Sequence, residues 1–132
     1  MKIFELPSEH GHLRGAIWDN VKNPKGTIQI AHGLVEYHDR YDEFAKFLNE
    51  HGYIVYCNDH LGHGLHVKKG ELKGYFADEN GYEAVVDQLA EMNSVIRKAH
   101  PSLNHFFIGH SLGTALGLSF LKRNISFDAV IL

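Results

Sequence analysis

The sequence predicts a three-layer α/β domain with a largely parallel sheet and helices on both faces, and three observations carry that prediction. From residue 27 onward, short apolar runs alternate with amphipathic helical stretches in the order β-α-β-α-β-α-β. Residues 53–57 (Y-I-V-Y-C) are apolar, β-branched or aromatic without a break, as in a strand buried on both faces. Phe106-Phe107-Ile108 then runs straight into Gly109-His110-Ser111-Leu112-Gly113, a G-x-S-x-G turn followed by small and helix-forming residues.

Each element has its own signal. Residues 2–6 alternate weakly as a first strand that Pro7 ends, and residues 13–18 form a second. The polar turn between them predicts an antiparallel hairpin at the edge of the sheet. Asn23-Pro24-Lys25-Gly26 is a turn, and residues 27–31 are a third strand running into His32-Gly33-Leu34. Tyr41, Phe44, Ala45 and Leu48 recur on one helical face, with Gly52 just past the helix end as a C-cap. A long loop with four glycines, Gly62, Gly64, Gly70 and Gly74, joins residues 58 and 78; loops of that length are usually functional or mobile. Residues 81–99 form a second helix with Val85, Leu89, Met92, Ile96 and Ala99 on one stripe, stopped by Pro101. A strand at 105–108, the G-x-S-x-G turn, a helix from about 112 to 122 and an apolar strand at 127–132 complete the chain.

Composition narrows the function. With 132 residues, 44% hydrophobic and 22% charged, the chain reads as one globular domain without repeats or linkers. A net charge of −3 and no Lys/Arg run longer than two exclude a nucleic-acid partner. The single cysteine, Cys57, lies in an apolar run and reads as a buried filler rather than a reactive thiol. Glu5 interrupts the short apolar N-terminus, and nothing approaches the roughly 18 apolar residues of a membrane span, so the expected location is cytoplasmic. No basic or strongly amphipathic surface helix argues for more than peripheral membrane contact.

The G-x-S-x-G stretch has the order that a nucleophile elbow needs: a buried strand, a turn too tight for side chains, and a helix pointing back at the serine. Gly109 and Gly113 stand where chain segments approach closely and a Cβ would clash. Ser111 is the candidate nucleophile, its hydroxyl exposed on the turn beside a helix N-terminus that favours negative charge.

Three stretches together resemble the α/β-hydrolase fold, within it the monoacylglycerol lipase and lysophospholipase branch. They are Ala31-His32-Gly33-Leu34-Val35-Glu36-Tyr37 with Arg40-Tyr41 following, Asn58-Asp59-His60-Leu61-Gly62-His63-Gly64, and the serine turn; Gly74-Tyr75-Phe76-Ala77 is also similar to bacterial members. The chain departs from the family at Leu61, where a basic residue is frequent, and at Leu65, where a small polar one is.

The resemblance implies a serine esterase of lipid-like esters, such as monoacylglycerols or lysophospholipids, working through an acyl-enzyme on Ser111 without metal or organic cofactor. The backbone N–H groups of Leu112 and Leu34 are the expected oxyanion donors. Gly33 lets its loop pass close to the substrate carbonyl. His110 is placed with it at the substrate site, its ring turned away from the nucleophile. His32 and His38 fall near the same place, whereas His10, His12, His51, His100 and His105 read as surface or cap residues. His60, His63 and His66 recur every three residues beside Asp59, a spacing that could serve zinc on a helix. Gly62 and Gly64 argue against that helix, so Asp59 and His63 are expected to hold loop backbone instead.

A triad in this fold runs Ser, then Asp or Glu, then His. Here the last histidine is His110, before the serine, and the only later carboxylate is Asp128, at the start of a strand. The expectation is therefore the N-terminal half of a longer hydrolase, truncated mid-strand, with base and acid beyond Leu132. Two alternatives stand beside the esterase. One is another chemistry of the same fold (thioesterase, acyltransferase or peptidase). The other is a catalytically inactive fragment serving as an interaction module, which the missing histidine would explain. Oligomeric state is not legible.

Overall fold

The structure, a computed structural model, describes residues 1–123 and 125–132. A hairpin of β1 (Lys2–Ser8) and β2 (Gly11–Trp18) leads into β3 (Gly26–Ala31), α1 (Asp42–Glu50) and β4 (Tyr53–Asn58). There follow α2 (Gly81–Ala99), β5 (Asn104–Gly109), α3 (Leu112–Leu121) and β6 (Ala129–Ile131), with 3-10 turns at His38–Tyr41 and Gly64–His66. The strands form one sheet in the order β1-β2-β4-β3-β5-β6. β1–β2 and β2–β4 are antiparallel, and β3 pairs in parallel with both β4 and β5. β6 continues in parallel on β5.

Alternation along the inner strands sorts side chains between two helical layers. Ile28, Ile30, Val55 and Cys57 face α1, where they meet Ala45, Tyr41 and Leu48. Ala31 and Phe107 face the opposite layer, against Val85, Val86 and Leu89 of α2 and Leu116 and Phe120 of α3. Farther along, Met92 and Ile96 cover Leu13, Ile54 and Tyr56. α2 thus crosses the sheet from β5 to β2, which is why it buries Ala84, Val86, Gln88 and Asn93 besides the predicted stripe. Cys57 is fully buried, and burial pushes its thiol well up.

Four local expectations are corrected. Pro7 does not end β1, which runs on to Ser8 with Pro7 opposite His12. β1 is the edge strand, where proline's missing N–H is tolerated. Phe44 is exposed and stacks on Phe47, because α1 turns only the narrow face of Ala45 and Leu48 to the sheet, beside Tyr41 of the preceding turn. Ala99, in the last turn of α2, is exposed. His105 is not a surface residue: it lies in β5, buried, and shares a 2.6 Å hydrogen bond with Thr27 of β3.

The strand order positions the rest. β3 and β5 lie side by side with Ala31 opposite Gly109, so His32-Gly33-Leu34 and His110-Ser111-Leu112 leave the sheet together. β4, on the other flank of β3, delivers Asp59 and His60 to the same carboxyl end, where open α/β sheets bind their ligands.

Candidate active site

Ser111 sits between β5 and α3 at φ +54° and ψ −113°, a conformation that L-residues rarely adopt. The turn is held by hydrogen bonds from the Gly113 N–H to the His110 carbonyl (2.8 Å) and from the His110 N–H to the Ala31 carbonyl (3.0 Å). Close approach explains the two flanking glycines. A Cβ on Gly113 would lie 2.0 Å from the Ala31 carbonyl oxygen, and one on Gly109 would lie 2.6 Å from that of Gly113. Ser111 is exposed, and among the described residues nothing hydrogen-bonds its hydroxyl. The Leu112 N–H opens α3, and it and the Leu34 N–H have no acceptor among the described residues.

The loop after β3 is tied down on both sides. The Gly33 N–H donates to Glu36 Oε2 at 2.9 Å, and a Cβ on Gly33 would meet that same oxygen and the His110 ring. Glu36 also accepts from the Tyr41 hydroxyl (2.7 Å), from His110 Nδ1 (3.0 Å) and from the Arg40 guanidinium (2.6 Å). Burial alone would raise its carboxyl. The donors from Tyr41, Gly33 and His110 outweigh burial and hold it down at about 2. Burial and the neighbouring carboxylate push the Tyr41 hydroxyl up.

Asp59 at the end of β4 organises the neighbouring loop. Its carboxylate accepts from the backbone N–H groups of His38 and Leu65, both at 2.8 Å, and from the His38 ring at 2.9 Å. Burial opposes ionisation there, but these bonds prevail and keep the carboxyl below its usual range. His63 Nδ1 lies 3.0 Å from the Leu61 carbonyl, and Nε2 reaches the Leu34 carbonyl. Both residues hold loop backbone, as the glycine spacing suggested. Among the described residues no three His, Cys, Asp or Glu side chains converge as a metal-holding group.

Ser111, Leu112, Leu34, Gly33 and His110 therefore stand at one end of the sheet, with the His110 ring on Glu36 and more than half exposed. A groove of about 1200 Å³ opens beside Leu34, Val35, Glu36 and Tyr37, walled across by Gly62 and Leu65. The sequence pattern gives Glu36 no role and Tyr41 only a place on a helical face. Their positions lie inside the family stretch, but only the pairing of β3 with β5 brings them to His110. Asp128 accepts from the His105 N–H at 2.7 Å, at the opposite end of β5 from the serine.

The family model described as "Serine aminopeptidase, S33" matches residues 22–132. The monoglyceride lipase of Rattus norvegicus is 30% identical over 116 residues, 87% of this chain and 36% of its own. The monoglyceride lipase homolog of Monkeypox virus is 32% identical over 131 residues, 98% of this chain and 45% of its own. The chain thus spans less than half the length of these relatives. Among solved structures, a thermostable carboxyl esterase from Bacillus coagulans superposes with a TM-score of 0.79 at 21% identity, over 98% of this chain and 42% of that one. With the serine turn, the parallel β3–β5 pair and the match over most of its length, the chain belongs to the serine aminopeptidase S33 family and has the α/β-hydrolase fold.

Proposed function

We propose that the whole protein is a serine ester hydrolase of lipid-like esters, of the monoacylglycerol lipase or lysophospholipase type, acting through an acyl-enzyme on Ser111. The observation that carries this is the Ser111 backbone at φ +54°, which lifts an unbonded hydroxyl above the N-terminus of α3. In the proposed reaction Ser111 Oγ attacks the ester carbonyl carbon, and the oxygen that gains charge receives the Leu34 and Leu112 N–H groups. Collapse expels the alcohol, and water then releases the fatty acid. Gly33 and His110 border the substrate, whose acyl chain would lie in the groove along Leu34, Val35 and Leu65. The base that accepts the Ser111 proton, and the acid that orients it, are placed in sequence following Leu132. The relatives, more than twice as long, support that placement.

Among the described residues no helix is long and apolar enough to cross a membrane. We place the protein in the cytoplasm, meeting its lipid substrate by peripheral contact. The family description favours one second reading, an aminopeptidase on the same serine.

Intact mass before and after a fluorophosphonate, with Ser111→Ala as control, tests the chemistry. One adduct that the variant lacks is the expected result, and an unlabelled native protein would sink it. Hydrolysis of monoacylglycerol and lysophosphatidylcholine, set against an amino-acid anilide, separates the two substrate classes.

A further inference from the structure

Two histidines assigned no chemistry above are built into the loop that presents Leu34. His32 is fully buried at the end of β3, its ring lying on that of His60 with centroids 3.9 Å apart. The His60 backbone N–H is 2.9 Å from His32 Nε2. A peptide N–H can only donate, so Nε2 is the acceptor and carries no proton. The neutral ring therefore holds its proton on Nδ1, which lies 2.7 Å from the Gly33 carbonyl oxygen. One contact selects the tautomer, and that tautomer makes the other contact a hydrogen bond. His60 closes the pair by donating from its own Nε2 to the His32 carbonyl at 3.0 Å. Burial holds His32 down at about 4, so the same tautomer persists at neutral pH.

The Gly33 carbonyl and the Leu34 N–H are two ends of one planar peptide group, so fixing the first aims the second. The Glu36 N–H also reaches the Gly33 carbonyl, but at a longer 3.3 Å, so without the His32 ring a conformationally permissive glycine would hold that plane only loosely. The next carbonyl, that of Leu34, is taken by His63, and the Gly33 N–H is taken by Glu36. Of the four backbone polar groups in Gly33-Leu34, three are bound and the Leu34 N–H alone is free among the described residues.

We infer that His32, locked by the His60 N–H, is a positioning residue for oxyanion stabilisation: it clamps the Gly33–Leu34 peptide so that the Leu34 N–H stays aimed at the carbonyl attacked by Ser111. This rests on the serine-hydrolase reading proposed above. A ring that only filled the core could be exchanged for groups of similar reach without regard to which atom donates.

The test compares His32→Asn with His32→Gln in the whole protein. Asparagine puts an amide donor where Nδ1 stands and keeps the bond to the Gly33 carbonyl. Glutamine reaches the Nε2 position, can accept from the His60 N–H, and leaves the Gly33 carbonyl only the longer bond from the Glu36 N–H at 3.3 Å. Removing an oxyanion donor outright costs on the order of 100- to 1000-fold in kcat, and a donor that is only misaimed should cost about 30- to 100-fold. His32→Gln is expected to lose that much kcat on a short-chain ester, with KM within about twofold and fluorophosphonate labelling still confined to Ser111. His32→Asn should recover to within about fivefold of native.

Equal kcat in both variants, or losses that merely track the folded fraction, would overturn the inference. Nitrogen-15 NMR of the native imidazoles tests the clamp without requiring any variant to fold. His32 should show a protonated Nδ1 and a bare Nε2 throughout pH 5.5–9, and the opposite tautomer would refute the clamp. A native protein that neither labels nor turns over any ester would instead refute the hydrolase reading, and this inference with it. Native labelling with indifferent variants refutes the inference alone.

Discussion

Glu36 shows how much a single side chain can gather. It is a nearly buried carboxylate whose donors come from its own loop, from the turn before α1 and from the residue preceding Ser111. Its carboxyl falls from an ordinary 4.5 to about 2, so it favours the folded state above pH 4.5, and that contribution fades as pH drops toward 2. The sign follows from proton binding: between those values the unfolded chain is protonated and the folded one is not. Glu36→Gln should therefore cost on the order of 2 kcal/mol at pH 7, in line with losing hydrogen bonds to a charged group. In urea melts run from pH 7 to pH 3, the gap between native and variant should begin to narrow below pH 4.5 and keep narrowing to pH 3. A gap that stays constant would show that the charge does not matter there. Arg40 is mostly exposed, and its ion pair with Glu36 is screened by solvent, so it adds little to that figure.

The elbow is the element where local strain and close packing meet. Ser111 bears a positive φ that glycine adopts freely, and Gly113 occupies a space in which a Cβ would strike the Ala31 carbonyl at 2.0 Å. Two opposite substitutions follow. Ser111→Gly should raise stability by about 1 kcal/mol over Ser111→Ala, because strain of roughly 1–3 kcal/mol is relieved, while both abolish labelling. Gly113→Ala should destabilise by about 3 kcal/mol or more, since backbone atoms of β3 would have to yield. Thermal melts of the three variants check the order, and a Gly113→Ala protein as stable as native would contradict the packing. The G-x-S-x-G pattern made this element legible in advance because its demands are local: a tight turn, small flanking residues and a helix to follow.

At the scale of the whole molecule, one aromatic cluster joins the sheet to the helices that support the serine. Phe107 of β5 is fully buried, with Phe120 of α3 at 5.5 Å and Phe127 at 5.4 Å between ring centroids. It lies two residues before Gly109, so a cavity there would loosen the base of the turn as well as the core. Phe107→Ala should cost about 4 kcal/mol in urea unfolding, the usual loss for a buried phenylalanine. A loss below about 1 kcal/mol would mean that this layer is not the principal core. The polar interior is just as specific. Gln29, inside the central strand β3, donates to the Leu89 carbonyl at 2.9 Å and accepts from Asn93, so a strand read as apolar carries a satisfied polar link to α2.

From the sequence alone came the order of strands and helices, the apolar faces of α1 and α2 in outline, and the steric need for Gly109 and Gly113. All of these follow from periodicity or from contacts within a few residues, which a linear pattern contains. Where the local pattern misled, at Pro7, Phe44, Ala99 and His105, what decided was the neighbour: an open sheet edge, a narrow interface, a helix end, a partner strand. The tertiary structure alone decided that β3 lies between β4 and β5. It thereby brought Glu36 to His110, 74 residues away, and His32 to His60, 28 residues away. Periodicity marks histidine and glutamate as polar and so predicts them at the surface. They are buried here because strand order supplies each with hydrogen-bond partners, and no local pattern contains that order.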